Sequence, residues 1–362
     1  MLEKKETVEK KKIGLGFIIF ALLLILIVAL VGVVFFLRES GKKTLAHTVT
    51  LTSEPIAIDI AETTEELKDN QIIYNDAVYQ LNEDIVTILV MGIDKESVYE
   101  IGGQSWEYME GSNTNGGQAD ALFLVVLNPH SKKVDVVAIN RNSMAIIDVF
   151  DKNGRYKGVQ LHQIALQHGF GDGKEQSCER QVKAVSRMFY NIPINAYAAI
   201  SMDAIPDMND AIGGVTLIAP DEIVYPEYNM DIHPGDEVTL KGEQAYWFLR
   251  LRYEDEAGSS DVRLARQKLY LSKFLATAKE ESKADIRVAV NLYNTLSKYM
   301  VTSIGVDSFT YIVTEIVNYD FDPDNIITLQ GQTVMGEKYE EFKYDYEALQ
   351  ELIIKLYYEP LT

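Results

Sequence analysis

Two aspartates and a set of arginines hold the chemistry that this sequence offers. Asp94 follows the apolar run Ile85 to Met91, Asp120 stands just before the run Ala121 to Leu127, and Arg141 stands just after Val134 to Ile139. Arg250 and Arg252 are two apart, on one side of an extended chain. Arg263, Arg266 and Gln267 fall at i, i+3 and i+4, one face of a helix. Cations at a helix start oppose the macrodipole by about 0.3 to 1 kcal/mol each, so their placement predicts an anion there. Carboxylate oxygens suit a hard divalent cation and guanidinium forks suit phosphate oxygens, so the set fits a bound pyrophosphate. Taken singly, each charge is equally a rim salt bridge of a folded domain. Neither GxxxxGK[ST] nor GxGxxG occurs, so any phosphate is held by side chains.

The elements that must position these residues follow from the pattern of apolar runs. The segment Asn128-Pro-His-Ser-Lys-Lys133 separates two apolar, β-branched runs and reads as a hairpin whose strands are covered on both faces. Antiparallel pairing then brings Asp120 and Arg141 to the same end of the sheet. Ile85 to Met91 is a third strand, with Gly92 and Asp94 at its C-terminal end, where ligands gather in open α/β sheets. Further strands are expected at Ala145 to Phe150, Ala196 to Ser201, Val215 to Ala219 and Ile326 to Leu329. Helices are expected at Leu161 to Gln167, Glu175 to Tyr190, Met202 to Ile212, Gly242 to Leu249, Ser259 to Glu281, Val288 to Met300, Phe309 to Val317 and Tyr344 to Tyr358. The alternation predicts an α/β fold, a mixed sheet sandwiched between helices.

The formal charge, 34 minus 54 or −20, opposes a generic nucleic-acid partner. One cysteine, Cys178, excludes an intrachain disulfide, and the five histidines lack zinc-ligand spacing. Residues 13–37 form an uncharged apolar run of 25 residues. As a helix it is on the order of 37 Å long, against roughly 30 Å of bilayer hydrocarbon. It predicts a single transmembrane helix, and the lysines at 4, 5, 10, 11 and 12 predict a cytoplasmic tail over residues 1–12. Residues 38–82 read as an extracellular stalk ending in a short helix over Ala61 to Gln80, and residues 83–362 as the extracellular domain. Lys95 to Gly117 reads as a long loop joining Asp94 to Asp120.

Behind one N-terminal span, VMGID, AD before an apolar strand, LNPHSKKVDVVAINR, GGV, LKGEQA, RLR and DVRLARQ occur in that order. This series resembles the LytR-CpsA-Psr family of cell-envelope proteins over roughly residues 85 to 278. The resemblance implies a membrane-anchored phosphotransferase that attaches a glycopolymer, teichoic acid or capsular polysaccharide, from a polyprenyl-pyrophosphate carrier to peptidoglycan. It implies that Asp94 and Asp120 bind magnesium or manganese, and that Arg141, Arg250, Arg252 and Arg263 bind the pyrophosphate with Gln267 in the same pocket. Asp94, Asp120 and Arg141 become the catalytic candidates. Gln118-Ala-Asp120 stands where the family has Arg-Ser-Asp, and Asn140-Arg-Asn142 where it has Pro-Arg-Asp. These neutral replacements keep a second class open, a lipid-pyrophosphate-binding or envelope-organising protein without transferase activity.

Overall fold

The computed structural model describes residues 32–46, 70–94, 117–151, 153–251, 259–316, 319–322, 325–337 and 339–361. Its centre is a six-stranded mixed sheet: β1 (Val86–Asp94), β2 (Gln118–Asn128), β3 (Lys133–Ile139), β4 (Ala196–Ser201), β5 (Met300–Thr302) and β6 (Ile327–Thr328), in the spatial order β5-β4-β1-β2-β3-β6. β2 pairs antiparallel with both β1 and β3, while β4 runs parallel to β1 and β6 parallel to β3. The expected hairpin is therefore the middle of the sheet. Its turn is set by Asn128, whose side-chain oxygen accepts from the backbone N–H of His130 and Ser131 at 2.9 and 3.0 Å.

Both faces are covered, as the unbroken apolar runs require. Leu89, Met91, Leu122, Leu124 and Val137 are wholly buried, on the face that packs helices α1 (Glu175–Met188) and Tyr346–Tyr357. The opposite face, with Val86, Ile88, Phe123 and Val136, packs Val306–Ile316 and helix α3 (Ser259–Ala284). Each fully buried aliphatic side chain stabilises the fold by about 1.5 to 3 kcal/mol. A surface ion pair contributes about 1 kcal/mol or less, so the sheet rather than its charges holds the domain together. A second apolar cluster surrounds helix α2 (Glu243–Arg250) together with the small paired strands Val215–Ile218 and Glu237–Leu240.

Several expectations are corrected. Val215–Ile218 belongs to that small sheet and not to the central one. Leu161 to Gln167 is not a helix of its own: Tyr156–Gln163 is a strand paired with Met144–Phe150, and a 3-10 turn follows over Ile164–Phe170. The helix near 288 is Ile286–Leu296, begun by Asp285 as its cap, and Met300 already lies in β5. The later half of the expected helix over Ala61 to Gln80 is a hairpin, Gln71–Tyr74 with Ala77–Leu81. Its turn places Asn75 and Asp76 at φ 49° and 62°, which short polar residues tolerate best. That hairpin also pairs with the C-terminal strand Tyr358–Pro360, so residues 70–81 are built into the domain.

Of the apolar run at 13–37, only residues 32–37 are described, and they are helical, in a helix that continues to residue 46. Among the described residues no helix is long and apolar enough to cross a membrane. Residues 38–46 pack on the domain. Ser40 and Thr44 donate to the Asp307 carboxylate at 3.1 and 2.9 Å, Arg38 pairs with Glu315, and Leu45 is buried. Gly41 permits this approach, since a Cβ there would overlap the backbone of Asp307.

One surface cluster ties the residues just before β1 and the strand Tyr358–Pro360 to the central hairpin. His130 lies with Nε2 3.0 Å from Asp84 and Nδ1 3.1 Å from Glu359. Hydrogen bonding to Asp84, then to Glu359, raises its pKa. A raised histidine stabilises the fold fully below its unfolded pKa of about 6.5, and that contribution is lost as pH rises through the folded value. His130→Ala is therefore expected to lower the denaturant midpoint at about pH 6, with the difference from wild type shrinking by about pH 9. A difference independent of pH would remove the ionic account of this contact.

Candidate functional site

Asp94 and Asp120 reach the same place by different routes. Asp94 is the last residue of β1, paired across to Gln118. Gly92 pairs with Ala121 but Ile93 with Ala119, so Asp120 is the extra residue of a β-bulge. A bulge re-aims a side chain, and here it carries Asp120 onto the face of the sheet covered by α3. Both carboxylates are buried, with Asp94 3% and Asp120 5% exposed.

Three guanidinium groups meet them. Arg141, in the turn after β3, places Nη2 3.0 Å from Asp120 Oδ1 and donates to the Gln118 side-chain oxygen. Arg263 Nη1 lies 3.5 Å from Asp120 Oδ2. Arg250, the last residue of α2, places Nε 3.0 Å from Asp94 Oδ2, and its Nη1 donates to the Tyr246 hydroxyl at 2.6 Å. The turn carrying Arg141 is fixed by Asn140. Its Oδ1 accepts from the Asn142 backbone at 2.9 Å, and its Nδ2 donates to Asp261 at 2.7 Å. Three guanidinium groups thus converge on two buried carboxylates, and such forks suit phosphate oxygens.

The cluster is also under-bonded. Gln118 Nε2, Arg141 Nε, both amide atoms of Asn142 and the Ser260 hydroxyl are buried and have no hydrogen-bond partner among the described residues. Asp120 Oδ1 is close enough to Arg141 for an ion pair but is not aligned for a hydrogen bond. An unsatisfied buried polar group costs about 1 to 3 kcal/mol, so several together are a set that a polar ligand would satisfy. Beside it the sheet face and α3 enclose an apolar cavity of about 310 Å³, lined by Val90, Gly92, Ala121, Phe123, Leu271 and Gln267 among others. Gly92 keeps it open, for a Cβ there would press to 3.0 Å from that of Ala121. Gln267, one helical turn beyond Arg263, lines this cavity.

The structure thus brings together Asp94, Asp120, Arg141, Arg250 and Arg263, with Gln267 at the cavity. Arg252 and nearly all of the loop between Asp94 and Gln118 lie outside the described residues. Arg266 turns away from the cluster: it donates to the carbonyls of Phe248 (2.9 Å) and Leu251 and lies 3.5 Å from Asp221. The anion at the start of α3 is the chain's own Glu340, whose carboxylate accepts from the backbone N–H of Ser259 and Ser260 at 3.2 and 3.3 Å. The macrodipole is answered from within. Sequence reasoning passed over Tyr246 and Glu340, although Glu340 borders a run of turn residues and β-formers that marks a hairpin. Cys178 packs against His168, Sγ to Nε2 3.8 Å, and burial pushes its thiol up to about 12, so it is a buried structural group.

Among the described residues no three histidine, cysteine or carboxylate groups converge as a metal site. The carboxylates of Asp94 and Asp120 are the hard oxygen donors present, and magnesium takes one or two carboxylates when phosphate oxygens and water complete its shell.

The LytR_cpsA_psr family model matches residues 48–356 of the chain. Biofilm regulatory protein A of Streptococcus mutans is 26% identical over 270 residues, 72% of this chain and 60% of that protein, so the chain spans less than two thirds of that relative's length. The polyisoprenyl-teichoic acid–peptidoglycan teichoic acid transferase TagU of Oceanobacillus iheyensis is 26% identical over 258 residues, 70% of each chain. In fold the chain is similar to B. subtilis TagV, with a TM-score of 0.55 at 21% identity over 75% of this chain and 95% of that one. It is similar also to protein gbs0355 of Streptococcus agalactiae, with a TM-score of 0.56 at 22% identity over 75% of this chain and 87% of that one.

Proposed function

The chain belongs to the LytR-CpsA-Psr family, and from that premise we propose that it transfers a glycopolymer from a polyprenyl-pyrophosphate carrier to peptidoglycan at the outer face of the cell membrane. The glycopolymer is of the teichoic acid or capsular polysaccharide class. One observation carries the reading: a buried, arginine-rich ionic cluster sits beside an apolar cavity lined by its sequence neighbours Ala121, Leu249 and Gln267. Such a pair suits a ligand with a pyrophosphate head and an isoprenoid tail, and a free nucleotide or sugar phosphate would leave the cavity unused.

In the proposed reaction an acceptor hydroxyl oxygen bonds to the glycan-bearing phosphorus. The bond from that phosphorus to the bridging oxygen breaks, polyprenyl phosphate leaves, and the hydroxyl proton passes to solvent. Arg141, Arg250 and Arg263 hold the phosphate oxygens and stabilise the charge gathered on them. Asp94 and Asp120 are the residues that would hold a magnesium or manganese ion, which when bound neutralises charge on the leaving phosphate. The apolar run at 13–37 supports a single membrane anchor with the N-terminus cytoplasmic and the domain outside.

A second reading, a carrier-binding protein without transfer, draws on the buried neutral amides of Gln118 and Asn142 at the cluster's edge. Incubation of the full chain with carrier-linked glycan, peptidoglycan and magnesium separates the two. Transfer predicts stoichiometric release of polyprenyl phosphate with glycan appearing on peptidoglycan. Tight binding of the carrier with no release supports the second reading, and absence of binding overturns both.

A further inference from the structure

Next to the ionic cluster stand aromatic rings that the proposed transfer does not use. Trp247 of α2 has its ring centroid 4.9 Å from Tyr225 and 5.2 Å from Tyr228, and those two tyrosines are 5.1 Å apart. Tyr246 stands at right angles to Trp247 at 5.3 Å. The tyrosines are delivered by the strand Ile223–Tyr225 and the turn Pro226–Tyr228, which Asn229 ends with φ 53°. Gln244 on α2 donates to the Tyr228 carbonyl at 3.2 Å and fixes the turn against the helix. Tyr225, Tyr228 and Trp247 are only partly buried.

Arg250 joins this group to the ionic cluster. Its guanidinium carbon lies 5.4 Å from the Tyr246 ring centroid and 5.7 Å from that of Trp247, while its Nε is 3.0 Å from Asp94. Arg250 therefore stands between the ionic cluster and Trp247, and a group attached to a phosphate that it holds can reach the ring. The rings offer π faces of negative quadrupole, which attract polarised C–H bonds. The buried Trp247 Nε1–H has no hydrogen-bond partner among the described residues and is a donor for an oxygen. A pyranose combines a face of C–H bonds with a rim of hydroxyl oxygens. An aliphatic chain would use the faces and leave the donor unpaired.

We propose that Tyr225, Tyr228 and Trp247 form a subsite for the first sugar ring of the carrier-linked glycan, the ring attached to the pyrophosphate. The inference rests on the pyrophosphate reading of the arginine cluster. It makes recognition of the donor glycan a property of fixed aromatic side chains beside Arg250.

The test measures binding of three probes to the full chain in detergent: polyprenyl pyrophosphate, polyprenyl-pyrophosphoryl-N-acetylglucosamine, and a soluble peptidoglycan disaccharide. Wild type is expected to bind the glycosylated carrier roughly tenfold more tightly than the bare one, the scale of a good aromatic contact. Tyr228→Leu and Trp247→Leu should each erase most of that increment while binding the bare carrier as wild type does. Trp106→Phe makes Trp247 the sole tryptophan. Its emission should shift with the glycosylated carrier and not with the bare one. If the bare carrier binds but the sugar adds nothing and the emission is silent, the subsite is overturned while the pyrophosphate reading stands. Loss of disaccharide binding in the variants, with the donor increment retained, overturns the donor assignment. Failure of the bare carrier to bind wild type removes the underlying reading and the subsite with it.

Discussion

Arg266→Met is expected to lower the melting temperature by on the order of 10 °C, whereas Arg263→Met, three residues earlier on the same helix, should leave it nearly unchanged. Arg266 is 1% exposed and satisfies the carbonyls of Phe248 and Leu251, the end of α2 and the residue just beyond it. Methionine preserves much of the volume but strands both carbonyls and leaves Asp221 without its cation. Burial already raises the Asp221 pKa against the pull of Arg266, so that carboxylate is poorly placed to stand alone. Breaking one side of such a buried arrangement costs about 3 to 5 kcal/mol. Arg263 meets Asp120 at 3.5 Å, a carboxylate that keeps Arg141 at 3.0 Å, and removing Arg263 relieves repulsion between guanidinium groups. Its loss should instead weaken polyprenyl-pyrophosphate binding by about 1.5 to 3 kcal/mol, the range for a charged hydrogen bond. Thermal shift with and without that ligand reads both quantities. A large drop in melting temperature for Arg263→Met with an undiminished ligand shift would falsify its assignment to the binding site.

That contrast shows where sequence stops being informative. Arg263 and Arg266 have the same type, the same helix and neighbouring positions on it, and the spacing placed both on one face with Gln267. What divides them is the end of α2, which packs against α3 only in three dimensions and offers its carbonyls to the more distant side of that face. The central hairpin was legible because long apolar β-branched runs around Asn-Pro admit few other structures. The meeting of Asp120 with Arg141 followed from equal distances to the turn. The bulge did not, since one unpaired residue leaves the run of residue types unchanged, yet it decides which face Asp120 occupies. The hairpin at Gln71 to Leu81 was lost among acidic helix-formers upstream, although Asn75-Asp76 is a turn pair with a physical basis. The aromatic group at Trp247 was invisible, because its tyrosines come from a separate small sheet.

Asp120→Asn is expected to divide binding from turnover. The substitution keeps the side chain's size and removes the negative charge that Arg141 and Arg263 face. Without a divalent cation, the variant should therefore bind polyprenyl pyrophosphate at least as tightly as wild type does, because the anion now competes with one carboxylate fewer. With magnesium present, wild type should gain affinity and the variant should not, since a single remaining carboxylate is a poor anchor for the ion. Turnover is where the loss should appear: charge building on the departing phosphate meets one stabilising contact fewer, a deficit on the order of 10² to 10³ in kcat. Calorimetry with and without magnesium gives the first pair of values, and the rate of polyprenyl phosphate release at saturating donor gives the last. If Asp120 serves instead to hold Arg141 and Arg263 in position, the variant loses affinity even without magnesium, because freed guanidinium groups no longer converge. Wild-type kcat in Asp120→Asn would remove Asp120 from the chemistry altogether and leave the bulge as a feature of packing.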